Sequence, residues 1–74
     1  MFELWGRKRP VDGIGHVYEF IFSFDDESYK YTAMDTLDCS VYQEGMIVNK
    51  YDNSCVMYVE FEEPLVLKRE GRRL

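Results

Sequence analysis

Residues 25–38 decide which fold class this chain can adopt, because they join two pairs of segments with strand-like patterns. Read as a helix, the segment begins with acidic residues where the helix dipole favours negative charge, with Asp25 as the N-cap. Tyr29, Ala33 and Leu37 then recur every four residues and form one apolar stripe. Read as a hairpin, the same segment would turn at its acidic start and return as a strand. We predict the helix.

Strand patterns flank this segment on both sides. Side chains alternate between two faces over residues 2–7, 16–24 and 55–62, and residues 46–51 are also predicted to be a strand. Residues 38–45 are predicted as an irregular connection. The predicted fold is therefore α+β, a small antiparallel four-stranded sheet with one helix in ββαββ order. The alternative, if the central segment is a hairpin, is an all-β five-stranded SH3-like barrel or roll.

The second predicted strand carries an aromatic residue at every second position, namely Tyr18, Phe20, Phe22 and Phe24. Side chains alternate between the two faces of a strand, so an unbroken strand places all four rings on one face. We predict that this stripe packs in the core beneath the helix.

Two turns are predicted from residues that tolerate positive φ. Asp12 and Gly13 form a turn dipeptide in the loop before the second strand, and Asn53 lies in the hairpin turn between the last two strands.

The 74 residues are enough for one small domain. We assign residues 1–68 to a single compact domain and residues 69–74 to a basic C-terminal tail. No apolar run approaches the roughly 20 residues of a membrane-spanning helix, so no membrane contact is predicted. Two widely spaced cysteines do not form a disulfide framework, and the first residues do not resemble a signal peptide. We predict a cytoplasmic protein.

Catalytic chemistry has little support in the residue pattern. The one histidine, His16, begins a strand after a glycine-containing loop, and neither Cys39 nor Cys55 has a histidine near it in sequence. The acidic run 25–27 lacks the spacing of a calcium-binding loop, and a helix start explains the same acids without a metal. We predict no enzymatic activity, no metal, no cofactor and no small-molecule substrate.

A sheet covered by one helix leaves its second face without a partner. The alternation places apolar residues among acidic residues on that face, which favours a contact surface. We therefore predict a non-enzymatic binding module that acts through protein–protein contact, with a protein partner or a second copy of the chain. The residues predicted to make this contact are Val17, Ile21, Val56, Tyr58, Glu19 and Glu60.

The charge distribution suggests two alternative functions. The net charge is −5, with 14 acidic and 9 basic residues, and the acidic residues concentrate between two basic ends. An acidic body repels a phosphate backbone, so a nucleic acid would bind weakly and only at the ends. The residues for that contact would be Arg7, Lys8, Arg9, Arg72 and Arg73. Alternatively, the acidic body imitates a nucleic acid and binds a basic protein.

Overall fold

A computed structural model of the chain describes residues 1–62. The four strands are β1 (Phe2–Lys8), β2 (Tyr18–Phe24), β3 (Tyr42–Asn49) and β4 (Ser54–Glu60). A 3₁₀ turn over Glu27–Tyr29 leads into the short helix α1 (Lys30–Asp35). The α+β prediction and its ββαββ order are confirmed, and the hairpin alternative for residues 25–38 is wrong. The predicted basic tail, residues 69–74, lies outside the described residues.

The strands form one antiparallel sheet in the order β2-β1-β3-β4. Leu4 of β1 and Ile47 of β3 face each other at its centre and are fully buried. Helix α1 and the turn after it add three buried side chains on the same side of the sheet, Ala33, Met34 and Leu37. Together with Leu4, Ile47 and the buried Phe2, they form the hydrophobic core, which among residues 1–62 lies on one face of the sheet.

The helical segment is shorter than predicted and begins one residue later. Asp26, rather than Asp25, caps it, because the Asp26 carboxylate accepts hydrogen bonds from the backbone N–H and the hydroxyl of Ser28. Ala33 and Leu37 of the predicted stripe are buried. Tyr29 stays partly exposed at the edge of the core, where its ring meets that of Phe24 at 5.6 Å between centroids.

Strand β3 begins at Tyr42, within the stretch predicted to be irregular. The strand pattern is not visible there in the sequence, because the polar residues Gln43 and Glu44 and then Gly45 interrupt the alternation. Gly45 is nevertheless a central strand residue, paired with Gly6 of β1. A glycine is needed there because a Cβ atom would lie 2.7 Å from the side chain of Leu37.

Each edge strand contains a β-bulge. The register between β1 and β2 shifts so that Ile21 is an extra residue on β2, and the register between β3 and β4 shifts so that Val56 is an extra residue on β4. A bulge inserts one residue, so the side chains on either side of it exchange faces relative to an unbroken strand. Both edges of the described sheet are thereby made irregular, which hinders unwanted edge-to-edge pairing.

The bulge in β2 divides the predicted aromatic stripe. Phe22 and Phe24 pair with Leu4 and Phe2 and face the core, where the rings of Phe2 and Phe24 stack 5.6 Å apart. The other two rings, Tyr18 and Phe20, lie on the opposite face of the sheet. The prediction of one continuous core stripe is therefore wrong.

Candidate functional site

The face of the sheet that points away from α1 is the open face. Its residues alternate along each strand with those that face the core, and their cross-strand partners define them. Listed from β2 through β1 and β3 to β4, they are Tyr18, Phe20 and Ser23; Glu3, Trp5 and Arg7; Glu44, Met46 and Val48; and Cys55, Tyr58 and Glu60.

Four cross-strand neighbours, one from each strand, form what we call the apolar row. Trp5 lies between Phe20 and Met46, and Met46 pairs in turn with Tyr58. At the usual distance between strands the row spans about 14 Å. Phe20 is 50% exposed and Tyr58 is 49% exposed, so both ends of the row are open to solvent. The rings of Trp5 and Phe20 meet edge to face, with centroids 5.7 Å apart.

A second row, the polar row, lies beside the apolar row and consists of Tyr18, Arg7, Glu44 and Glu60. Arg7 binds Glu44 through two hydrogen bonds, from Nε to Oε1 at 2.9 Å and from Nη2 to Oε2 at 3.0 Å. The hydroxyl of Tyr18 donates to the same carboxylate at 2.7 Å. These contacts lower the pKa of Glu44 to about 2, with Arg7 the largest cause and Tyr18 the next. Glu44 is therefore ionised at neutral pH, and Arg7 and Tyr18 hold its carboxylate in place.

Two tyrosines beside Glu44 are correspondingly harder to ionise. Burial, followed by the hydrogen bond to Glu44, raises the pKa of Tyr18 to about 12. Burial and the same carboxylate raise the pKa of Tyr58 to about 12. Both hydroxyls therefore remain hydrogen-bond donors over the whole neutral range.

Within residues 1–62, Glu60 has less than Glu44 to offset its charge. The two carboxylates are direct cross-strand partners, an arrangement that is destabilising for like charges. Arg7 binds Glu44, whereas Glu60 accepts one hydrogen bond, from the hydroxyl of Tyr58 at 3.2 Å. Among the ion pairs of residues 1–62, none involves Glu60. Glu60 is thus an exposed anion without a cationic partner among residues 1–62, and it lies at the end of the polar row next to the half-exposed ring of Tyr58.

The opposite border of the apolar row is fixed by Glu3. Its carboxylate accepts a hydrogen bond from the indole Nε1 of Trp5 at 3.1 Å, which sets the orientation of that ring. Lys50 lies 3.9 Å from the same carboxylate. Glu3 therefore has a counter-charge, whereas Glu60 has none in the part of the chain that the structure describes.

The structure brings together only two of the six predicted contact residues, Tyr58 and Glu60. Ile21 and Val56 pack against the core, because both are the extra residues of the bulges. Glu19 is paired with Gly6 on the helix side of the sheet, where it accepts a hydrogen bond from the Tyr42 hydroxyl. The placement of these three on the open face is thus wrong.

The sixth predicted contact residue, Val17, is 83% exposed but precedes β2 and lies outside the sheet. Three residues of the apolar row were missed by the sequence analysis, namely Trp5, Phe20 and Met46. Trp5 was recognisable, because it alternates with Phe2 and Leu4 and so shares a face with Glu3. Phe20 was not, because its face depends on the bulge at Ile21.

The predicted basic residues at the N-terminal end are bound to protein groups. Arg7 pairs with Glu44, and Lys8 lies 4.0 Å from Glu19. Arg9 donates to the backbone oxygens of Cys39 and Phe61, each at 2.9 Å. Their hydrogen-bonding capacity is thus partly used within the protein. Arg72 and Arg73, the other predicted nucleic-acid contacts, lie outside the described residues.

Chemistry elsewhere on the described surface is sparse. His16 is exposed in the loop before β2, and Cys39 and Cys55 are exposed free thiols. Over residues 1–62, His, Cys, Asp and Glu nowhere form a group of three that could hold a metal ion. None of the helical residues described forms a helix long and apolar enough to cross a membrane.

A cavity of about 670 Å³ lies at the end of β4 and is lined by Arg9, Pro10, Gln43, Glu60, Phe61 and Glu62. Arg9 is the basic group of this lining, and it is already engaged by two carbonyl oxygens. The remaining charges, on Glu60 and Glu62, are negative. The described residues therefore give this cavity no free positive charge that would hold an anionic ligand.

No protein-family model, no curated protein and no solved structure matches this chain. The open face is therefore judged by its own geometry and charge.

Proposed function

We propose that this protein is a non-enzymatic binding module whose open face makes a protein–protein contact. The observation that carries the proposal is the apolar row, which runs across all four strands and exposes an aromatic ring at each end. Contiguous apolar patches on small proteins commonly mark interaction sites. Tyr, Trp, Phe and Met are also the residues enriched at the centres of protein interfaces.

The rigidity of the open face supports the same function. Trp5 is tied to Glu3, and the Arg7–Glu44–Tyr18 network holds the neighbouring row. Side chains that are already ordered lose less conformational entropy on binding. The face is thus suited to a partner of defined shape.

The proposal includes the absence of catalysis and a cytoplasmic location. His16 is exposed in a loop, away from both cysteines in sequence and outside the open face. The exposed free thiols of Cys39 and Cys55 suit a reducing compartment, where thiols persist.

The experiment compares Phe20→Lys with Ser23→Lys. Both positions are exposed, lie on β2 and belong to the open face, and both changes add one positive charge. Only Phe20 belongs to the apolar row. Self-association is measured by size-exclusion chromatography with light scattering. The proteins captured by the wild type and by each of the two variants are quantified by mass spectrometry and compared.

We expect both variants to keep the circular dichroism and unfolding midpoint of the wild type. We expect Phe20→Lys alone to lose the contact, whether that contact is a dimer or a captured partner. A dimer or partner retained equally by all three proteins would show that the apolar row is not the contact surface.

A further inference from the structure

This inference rests on the proposed function and concerns the chemistry of the partner. We propose that the open face binds an extended protein segment that presents an apolar side chain beside a lysine or arginine. The apolar side chain would cover the apolar row, and the cation would meet Glu60.

The first support is charge complementarity. Glu44 and Glu60 are adjacent acids on neighbouring strands, and only Glu44 has a cation bound to it among residues 1–62. Placing like charges directly opposite each other costs stability, and a cation from a partner would remove that cost. An acidic partner, in contrast, would add a third negative charge to the same corner.

The second support is the position of Tyr58, which ends the apolar row and lies next to Glu60. Its ring is 49% exposed and its hydroxyl donates to Glu60. A cationic side chain that reaches Glu60 would therefore pass over or beside this ring, where the negative face of the aromatic system attracts it further.

The third support is spacing. Tyr58 and Glu60 are two residues apart on β4, so the two rows lie about 7 Å apart. In an extended segment, side chains two residues apart are separated by the same distance and point the same way. A partner that lies along the strands would thus carry its apolar residue and its cation at positions i and i+2.

The probe is a synthetic peptide, Thr-Val-Thr-Lys-Thr-Val-Thr-Lys-Thr-Val, compared with versions that carry Glu or Gln in place of both lysines. None contains tryptophan, and the protein contains a single tryptophan, Trp5, in the middle of the apolar row. Emission from Trp5 in the full chain therefore reports directly on occupancy of the open face.

We expect the lysine peptide to change Trp5 emission and to bind about tenfold more tightly than the glutamate peptide. Glu60→Gln should weaken binding of the lysine peptide by about threefold, the scale of an exposed ion pair. The matched control is Glu27→Gln, which removes the same charge from an exposed glutamate in the 3₁₀ turn. It should leave the affinity unchanged.

Three results of the peptide experiment would overturn the inference. They are no response of Trp5 to the lysine peptide, equal binding of the three peptides, and equal weakening by Glu60→Gln and Glu27→Gln. A stable dimer that buries Trp5 and persists in Glu60→Gln would identify a second copy as the occupant instead. If Phe20→Lys still abolishes the natural contact while the peptides do not discriminate, only the partner chemistry is wrong and the proposed function stands.

Discussion

Gly6 and Gly45 are direct cross-strand partners on β1 and β3. The missing side chain of Gly45 makes room for the helical segment, and that of Gly6 makes room for the ring of Tyr42 on β3. A Cβ atom at Gly45 would lie 2.5 Å from Sδ of Met34, and one at Gly6 would lie 2.8 Å from the ring of Tyr42. A methyl group at either position would fit only if these neighbouring side chains shifted. Gly45 therefore sets how closely the helical segment can approach the sheet.

Gly45→Ala should destabilise the protein by about 1–3 kcal/mol, because the added methyl overlaps buried side chains of the helical segment. Gly15→Ala is the matched control, since a Cβ there meets nothing within 4 Å. Urea denaturation followed by circular dichroism measures both. Equal stability of the two variants would mean that the helical segment does not pack against the glycine pair.

Ile21→Lys should destabilise the protein by about 1–3 kcal/mol, since Ile21 packs against the core at the bulge of β2. Tyr58→Lys, on the open face, should change stability much less. Thermal unfolding of the two variants compares them directly. A larger loss for Tyr58→Lys would place the apolar row, rather than the bulge residue, in the stabilising core.

Glu44→Gln should lower stability at neutral pH by about 1–2 kcal/mol, because Arg7 and Tyr18 lose a charged acceptor. The pKa of Glu44 falls from 4.5 to about 2 on folding, so its contribution is present above pH 4.5 and is lost as the pH falls towards 2. The free energy of unfolding of the wild type should fall more steeply over that window than that of the variant. If the free energy of unfolding fell equally with pH in the two proteins, the Arg7–Glu44–Tyr18 network would be contradicted.

Tyr18→Phe tests how the same network behaves at alkaline pH, where the Tyr18 hydroxyl ionises. Folding raises the pKa of Tyr18 from 10.0 to about 12, so its contribution is complete below pH 10 and is lost as the pH rises through 12. Absorbance of tyrosinate in the folded protein should show one residue fewer ionising near pH 12 in the variant. Loss of one residue from the step near pH 10 instead would contradict the burial of Tyr18 and its hydrogen bond to Glu44.

Three short Asp-x-Ser turns recur in the structure and were not recognised as a pattern in the sequence. In each, the carboxylate of Asp26, Asp38 or Asp52 accepts from the backbone N–H and the hydroxyl of the serine two positions later. These bonds lower the pKa of all three aspartates. The pattern was visible in the residues, because Asp and Ser side chains form such local hydrogen bonds wherever a turn begins.

Most of the fold followed from local signals, whereas most of the candidate site did not. The Asp12-Gly13 turn and Asn53 adopt the positive φ angles that their residue types favour, with φ of 54°, 79° and 60°. The start of β3 was missed because its signal is not local. Gly45 belongs to a strand because of its pairing with Gly6 and its contact with the helical segment, which are distant in sequence.

The sequence by itself determined the order of strands and helix, the turns between them and the side of β1 on which Trp5 lies. These depend on alternation and turn chemistry within a few residues. Only the tertiary structure decided that Phe20 joins Trp5 on the open face while Ile21 turns to the core. That choice depends on one extra residue in the register between β1 and β2, and such a bulge exchanges the faces of every side chain beyond it.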